Sequence, residues 1–130
     1  PAFDGVGSMV TAIRHQGVQV WICTTRPWNR LDNIDPDTTF WIERNIGRVD
    51  GVIYGEEKYE DLIDIVGEGR IVGVVDDLPE NVLRAQDLGL RAILAHGEHN
   101  RRSPLSRVPG IYDMGMWIGD KIARHKKEER

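Results

Sequence analysis

Apolar residues along the chain fall into two kinds of run that alternate from one end to the other. Short apolar, β-branched stretches predict buried strands at residues 18–23, 49–54, 70–75 and 90–95. Apolar residues at helical spacing predict helices at residues 7–16, 35–46, 59–66, 79–88 and 115–126. Residues 96–107 are typical of a loop, and residues 108–112 indicate one more short strand.

Strands that alternate with helices in this way form a parallel sheet with helices on both faces. The sequence therefore predicts an α/β fold. No repeat, low-complexity linker or second apolar pattern divides the chain, so we expect one domain over residues 1–130. A charged tail is expected from about residue 124 to residue 130.

Composition narrows the classes of protein that fit. With 40% hydrophobic and 29% charged residues, the 130-residue chain can build a core. The formal net charge of −4 argues against a general nucleic-acid-binding surface, and no apolar run is long enough to predict a membrane span. Pro1 to Asp4 show no signal-peptide pattern, and a single cysteine, Cys23, excludes an internal disulfide framework. We therefore expect a cytoplasmic setting.

Polar residues follow three of the predicted strands, where ligands bind in an open parallel sheet. Thr24, Thr25 and Arg26 end the first strand, Lys58 follows the second, and Asp76 and Asp77 end the third. Hydroxyl and backbone N–H groups can hold phosphate oxygens, and a lysine can offset their charge. Carboxylates after a buried strand suit Mg²⁺, which prefers oxygen ligands.

Each of these residues also has a structural interpretation. The threonines could bond to their own loop backbone, and Lys58 could be a solvated surface lysine. The two aspartates could cap the helix that begins near Pro79. The three groups together, in this order and each at the carboxyl end of a strand, favour a shared role in phosphoryl chemistry.

The order Val20-Trp21-Ile22-Cys23-Thr24, then Lys58, then Val74-Val75-Asp76-Asp77 resembles motifs two, three and four of the haloacid dehalogenase superfamily of phosphatases. Ile22 to Pro27 and the string His99-Asn100-Arg101 further resemble its 5'(3')-deoxyribonucleotidase branch. The resemblance implies a three-layer, Rossmann-like core and a Mg²⁺-dependent 5'-nucleotidase or other phosphomonoesterase. Its substrate would be a phosphate-bearing small molecule such as a nucleotide.

The resemblance also assigns roles to individual residues. Thr24 would bind the phosphate with support from Thr25, and Arg26 would contact the substrate. Lys58 would neutralise the phosphate and the aspartyl-phosphate intermediate. Asp76 would bind Mg²⁺, and Asp77 would assist or orient it.

The first motif of that superfamily, an Asp-x-Asp pair that supplies the nucleophile, follows none of the predicted strands. At the start of the sequence, the string Ala2-Phe3-Asp4-Gly5-Val6 would place Ala2 at the nucleophile position, and it fits the start of the first helix better. The resemblance puts the missing strand at the centre of the sheet, between the strands at 18–23 and 70–75. We therefore expect no catalysis by this chain alone and weak Mg²⁺ binding. Exposed strand edges would lead to a homodimer or to an N-terminal partner that supplies the strand.

Two alternatives remain beside the phosphatase. A non-catalytic module could keep the phosphate or nucleotide site, or could serve assembly. A response-regulator receiver uses the same residue types, but presents its acidic pair before the threonine and lysine. Here Thr24 and Lys58 precede Asp76 and Asp77, which disfavours the receiver.

Overall fold

The computed structural model describes residues 5–24 and 46–128 and has a mixed α/β structure with parallel strands. The helix predicted at 35–46 lies outside the described residues. The chain divides into two compact units, Pro1–Ile65 and Val66–Arg130, and the expectation of one domain over residues 1–130 stays a prediction. No helix within the described ranges has the length and apolar composition needed to cross a membrane.

The first unit contains two parallel strands and two helices. Its elements are α1 (Val6–His15), β1 (Trp21–Thr24), β2 (Gly51–Tyr54) and α2 (Lys58–Val66). Helix α1 buries Val10 and Ile13, as the helical spacing predicted, and it ends at His15, two residues before Gly17. The positive φ of Gly17, 81°, is a conformation that favours glycine after a helix.

An ion pair joins three segments of the first unit. The guanidinium of Arg14, in the last turn of α1, donates to both carboxylate oxygens of Asp50, at 3.1 and 3.0 Å. The backbone N–H of Val20 donates to the same carboxylate at 2.7 Å. Asp50 directly precedes β2 and Val20 directly precedes β1, so one carboxylate holds the entry of both strands against the end of α1.

The second unit contains a three-stranded parallel sheet in the order β3-β4-β5. Val82 and Leu94 are its largest fully buried side chains. Two short 3₁₀ turns, Glu68–Arg70 and Glu98–Asn100, interrupt the connections. The strands and α-helices of this unit are β3 (Val74–Asp76), α3 (Pro79–Asp87), β4 (Ala92–Ala95), β5 (Arg107–Val108) and α4 (Ile111–Glu128).

Three predicted boundaries are wrong in this unit. The strand predicted at 108–112 is only Arg107–Val108, and α4 begins at Ile111 instead of residue 115. Pro109 has no N–H to donate to a sheet, and the Gly110 carbonyl already accepts a helical bond from Met114 at 3.0 Å. Strand β3 begins at Val74 instead of residue 70, since Glu68–Arg70 forms a 3₁₀ turn.

Replacing Asp50 by Asn should destabilise the first unit by about 1 kcal/mol at neutral pH, because the amide loses the charge that Arg14 contacts. The hydrogen bonds from Arg14 and Val20 hold the pKa of Asp50 below its usual value. The stabilisation is therefore complete above the usual pKa and is lost as the pH falls through the lowered one.

Thermal melts of both proteins across a pH series check this prediction. The gap in melting temperature should close as the pH falls below about 4. Asp64→Asn makes the same chemical change at an exposed position of α2 and should leave the melting temperature nearly unchanged. A gap that widens on acidification would contradict the assignment.

Candidate functional site

The parallel pairing of β1 with β2 brings the carboxyl ends of the two strands to one edge. Thr24 pairs with Tyr54 at the last position of the register, so the predicted phosphate-binding threonine ends its strand as expected. Thr25 and Arg26, the other predicted phosphate contacts on this loop, lie outside the described residues. Near this edge, the structure describes the backbone of Thr24 and all of Lys58.

Lys58 is a buried cation at this edge. It is the first residue of α2 and only 4% exposed, so the alternative of a solvated surface lysine is wrong. Its ammonium group donates to the carbonyl oxygen of Cys23 at 3.3 Å and lies 5.0 Å from the ring centre of Tyr59. Because Cys23 immediately precedes Thr24, the structure brings two of the predicted phosphate-binding positions together.

Asp76 is the last residue of β3 and is buried. One carboxylate oxygen accepts a hydrogen bond from the backbone N–H of Leu78 at 3.0 Å and another from the side-chain amide of Asn81 at 3.4 Å. These contacts tie the carboxylate to the start of α3, which is the structural role that the sequence left open. They also fix its orientation at the carboxyl end of the sheet, where a ligand would bind.

Asp77 is the exposed member of the acidic pair. A carboxylate oxygen lies 3.3 Å from Nε2 of His99, and the same ring nitrogen lies 3.0 Å from the Asp77 carbonyl. The carbonyl also accepts a hydrogen bond from the side chain of Asn100 at 2.7 Å. The turn Glu98–Asn100 therefore holds the loop that carries Asp77.

Asn100 connects the carboxyl ends of β3 and β4 with the start of β5. Its amide nitrogen donates to the carbonyls of Asp77 and Ala95, at 2.7 and 2.8 Å. Its amide oxygen accepts from the N–H of Gly97 at 3.0 Å and from the guanidinium of Arg107 at 3.2 Å. The side chain is only 3% exposed, and all four of its hydrogen-bonding positions are used.

Arg107 completes this network from the first position of β5. One guanidinium nitrogen contacts Nδ1 of His96 at 2.9 Å, and the other donates to the carbonyls of Asn100 and Ser103 at 3.0 and 2.6 Å. Sequence reasoning singled out the string around Asn100 but missed Arg107. The only available signal was a cation at the start of a short apolar run.

The predicted residues thus lie at strand ends of two units: Thr24 and Lys58 in the first, Asp76 and Asp77 in the second. Within the described residues no group of three or more His, Cys, Asp or Glu side chains is arranged to hold a metal ion. Comparisons with family models, with curated proteins and with solved structures found no match for this chain.

Replacing Asn100 by Ala should destabilise the second unit by about 3 kcal/mol, because it removes four hydrogen bonds and takes the Asn100 partner from the buried Ala95 carbonyl and from the Gly97 N–H. Gln86→Ala removes an amide that donates to the Ala92 carbonyl from an exposed position, and is the matched control. It should cost less than about 1 kcal/mol. Denaturant unfolding of both variants measures the difference in their free energies of unfolding. Equal losses of stability would mean that the Asn100 network contributes no more than one exposed hydrogen bond.

Proposed function

We propose that this chain is the phosphate-handling part of a haloacid-dehalogenase-type phosphatase that acts on a phosphate-bearing small molecule such as a nucleoside monophosphate. The observation that carries the proposal is the buried ammonium of Lys58, held 3.3 Å from the carbonyl that precedes Thr24. A buried cation beside the end of a parallel strand suits an anionic ligand, because electrostatic attraction is stronger in a region of low dielectric constant.

In this proposal Thr24 binds phosphate oxygens, with Thr25 in support and Arg26 contacting the substrate. Lys58 lowers the cost of bringing a doubly charged phosphate to the strand ends, and offsets charge that develops during transfer. Its contact with the Cys23 carbonyl fixes the position of the charge before substrate arrives. Such preorganisation is what electrostatic catalysis requires.

The acidic pair at the end of β3 has the chemistry that Mg²⁺ takes. Mg²⁺ is commonly held by one or two carboxylates together with waters and substrate phosphate oxygens, and in this proposal Asp76 and Asp77 are the ligands that this chain contributes. Mg²⁺ would supply charge neutralisation to the phosphate. The hydrogen bond from Leu78 keeps the Asp76 carboxylate oriented without the ion.

The nucleophile of this reaction class belongs to a strand that ends in Asp-x-Asp, and no strand of the described residues carries that pair. We propose that a further polypeptide segment supplies it by pairing with an exposed strand edge of this chain, either from a second chain or from another part of the same protein. In support, β1 and β3 each lie at an edge of their sheet in the described part of the chain. Exposed strand edges readily pair with an added strand.

A second candidate is a non-catalytic phosphate-binding or assembly module. The contacts of the acidic pair favour it, because both carboxylates already make structural bonds, Asp76 with Leu78 and Asp77 with His99. In such a module Thr24 and Lys58 would hold the anion, and the acidic pair would only support the start of α3.

The decisive experiment is a phosphatase assay with Mg²⁺ and a panel of nucleoside monophosphates. We expect no turnover by the chain alone, and turnover when a peptide strand ending in Asp-x-Asp is added. The same peptide with Asn at its first Asp should give none. Asp76→Asn should abolish both the turnover and any Mg²⁺-dependent rise in melting temperature, whereas Asp87→Asn, at the end of α3, should change neither.

Two results would count against the phosphatase. Failure of the peptide to give turnover, with phosphate still bound, favours the non-catalytic module. Turnover by the chain alone would mean that its own residues include a nucleophile, with Asp4 the first to test.

Phosphate binding can be tested apart from catalysis by calorimetry. Thr24→Val keeps the shape of the side chain and removes the hydroxyl, so we expect phosphate or sulfate affinity to fall by about tenfold. Thr11→Val is the matched control, because the exposed Thr11 hydroxyl donates to the Gly7 carbonyl within α1, at 2.9 Å. Unchanged affinity in Thr24→Val would remove the assignment of Thr24.

A further inference from the structure

Helix α4 is attached to its own unit along one side only. Ile122 is buried, and the indole ring of Trp117 packs so close to Gly73 that a β-carbon there would approach it to 2.9 Å. His125 contacts the Gly69 carbonyl at 2.9 Å, and Arg91 pairs with Glu128 near the helix end. These contacts fix which side of α4 faces its own unit.

The opposite side of α4 is an exposed, largely apolar stripe. Tyr112 is 76% exposed and Met116 is 60% exposed, although large apolar side chains are usually buried. Counting from Tyr112, exposed positions follow at intervals of four, three, four and three residues. This is the spacing of a coiled-coil seam, which brings one helix along another. The α4 stripe consists of Tyr112, Met116, Gly119, Ala123 and Lys126.

Gly119 lies at the middle of the α4 stripe. Glycine weakens a helix relative to alanine, yet a β-carbon at this position would meet nothing within 4 Å among the described residues. The described part of the fold therefore does not require glycine here. A missing side chain on an exposed seam does allow the backbone of another helix to approach closely.

Charges beside the α4 stripe indicate the orientation of that second helix. Asp113 lies at the start of α4 and Lys127 at its end, 14 residues later, so two heptads separate them and they share a flank. Asp120 and Arg124, between them, are already paired with each other at 2.9 Å. A second α4 that runs antiparallel would set Asp113 beside Lys127 of the other copy at both ends, because residues on the same flank of the seam then face each other. In a parallel pair that flank would face the opposite flank of the partner helix, and Asp113 and Lys127 would not meet.

We propose that the α4 stripe binds the α4 stripe of a second copy of this chain in an antiparallel pair. The surface is self-complementary: Met116 of one copy meets Ala123 of the other, and the two Gly119 residues lie near the twofold axis. The stripe is about 21 Å long, so the contact is well below the ~1,600 Å² of a standard interface. A weak, micromolar dimer follows.

Sedimentation velocity of the full chain over a range of micromolar concentrations tests the proposal. We expect a monomer–dimer equilibrium that Met116→Lys weakens by about tenfold or more. Leu83→Lys places the same charge on an exposed leucine of α3 and should leave the equilibrium unchanged. Circular dichroism should show that both variants are folded.

A charge exchange tests the antiparallel orientation. Asp113→Lys and Lys127→Asp should each weaken the dimer, and the variant with both changes should recover most of the lost affinity. A chain that is monomeric throughout the concentration range overturns the proposal. Association that persists in Met116→Lys also overturns it and points instead to pairing at strand edges. Two charge changes whose effects add, without recovery, overturn the antiparallel arrangement.

Discussion

Parallel pairing of neighbouring strands is the constraint on which the candidate site depends. Parallel strands end at the same edge of a sheet, so residues far apart in sequence meet there without any local motif to join them. The amine of Lys58 reaches the Cys23 carbonyl across 35 residues because α2 begins just beyond the end of β2. In the second unit the same rule sets Asp76 beside the end of β4, and the loops that follow then decide how its neighbours are held.

Those loops are held by hydrogen bonds from the buried side chain of Asn100 and the half-buried side chain of Arg107. Asn100 and Arg107 donate to four backbone carbonyls, one in the connection after β3 and three from the end of β4 through the connection to β5. Hydrogen bonds in a region of low dielectric constant reinforce one another when every member is satisfied. The loop after β3 therefore has a defined position before any ligand binds, which suits both a catalytic and a purely binding role.

The sequence predicted the features that depend on local pattern. The spacing of Val10 and Ile13 identified the buried side of α1, and the apolar runs identified strands whose cores match β1 to β4. The predictions were wrong where adjacent residues set the boundary of an element. Pro109 and Gly110 shortened the last strand, and a 3₁₀ turn replaced the start of β3. The types and order of the candidate site residues were readable. Long-range partners such as Asp50 for Arg14 were not, because no periodicity links residues 36 apart.

The network around Asn100 has a consequence for which amino acids that position can accept. The side chain at this position must be short and planar, must donate two hydrogen bonds and must accept two on one oxygen. Aspartate has no donors, glutamine is one methylene too long, and leucine fills the space with neither donor nor acceptor. During evolution, exposed positions such as Glu98 can change without disturbing these hydrogen bonds, whereas position 100 accepts only asparagine. Natural variation at Asn100 would therefore mark sequences in which the loop after β4 has been rebuilt.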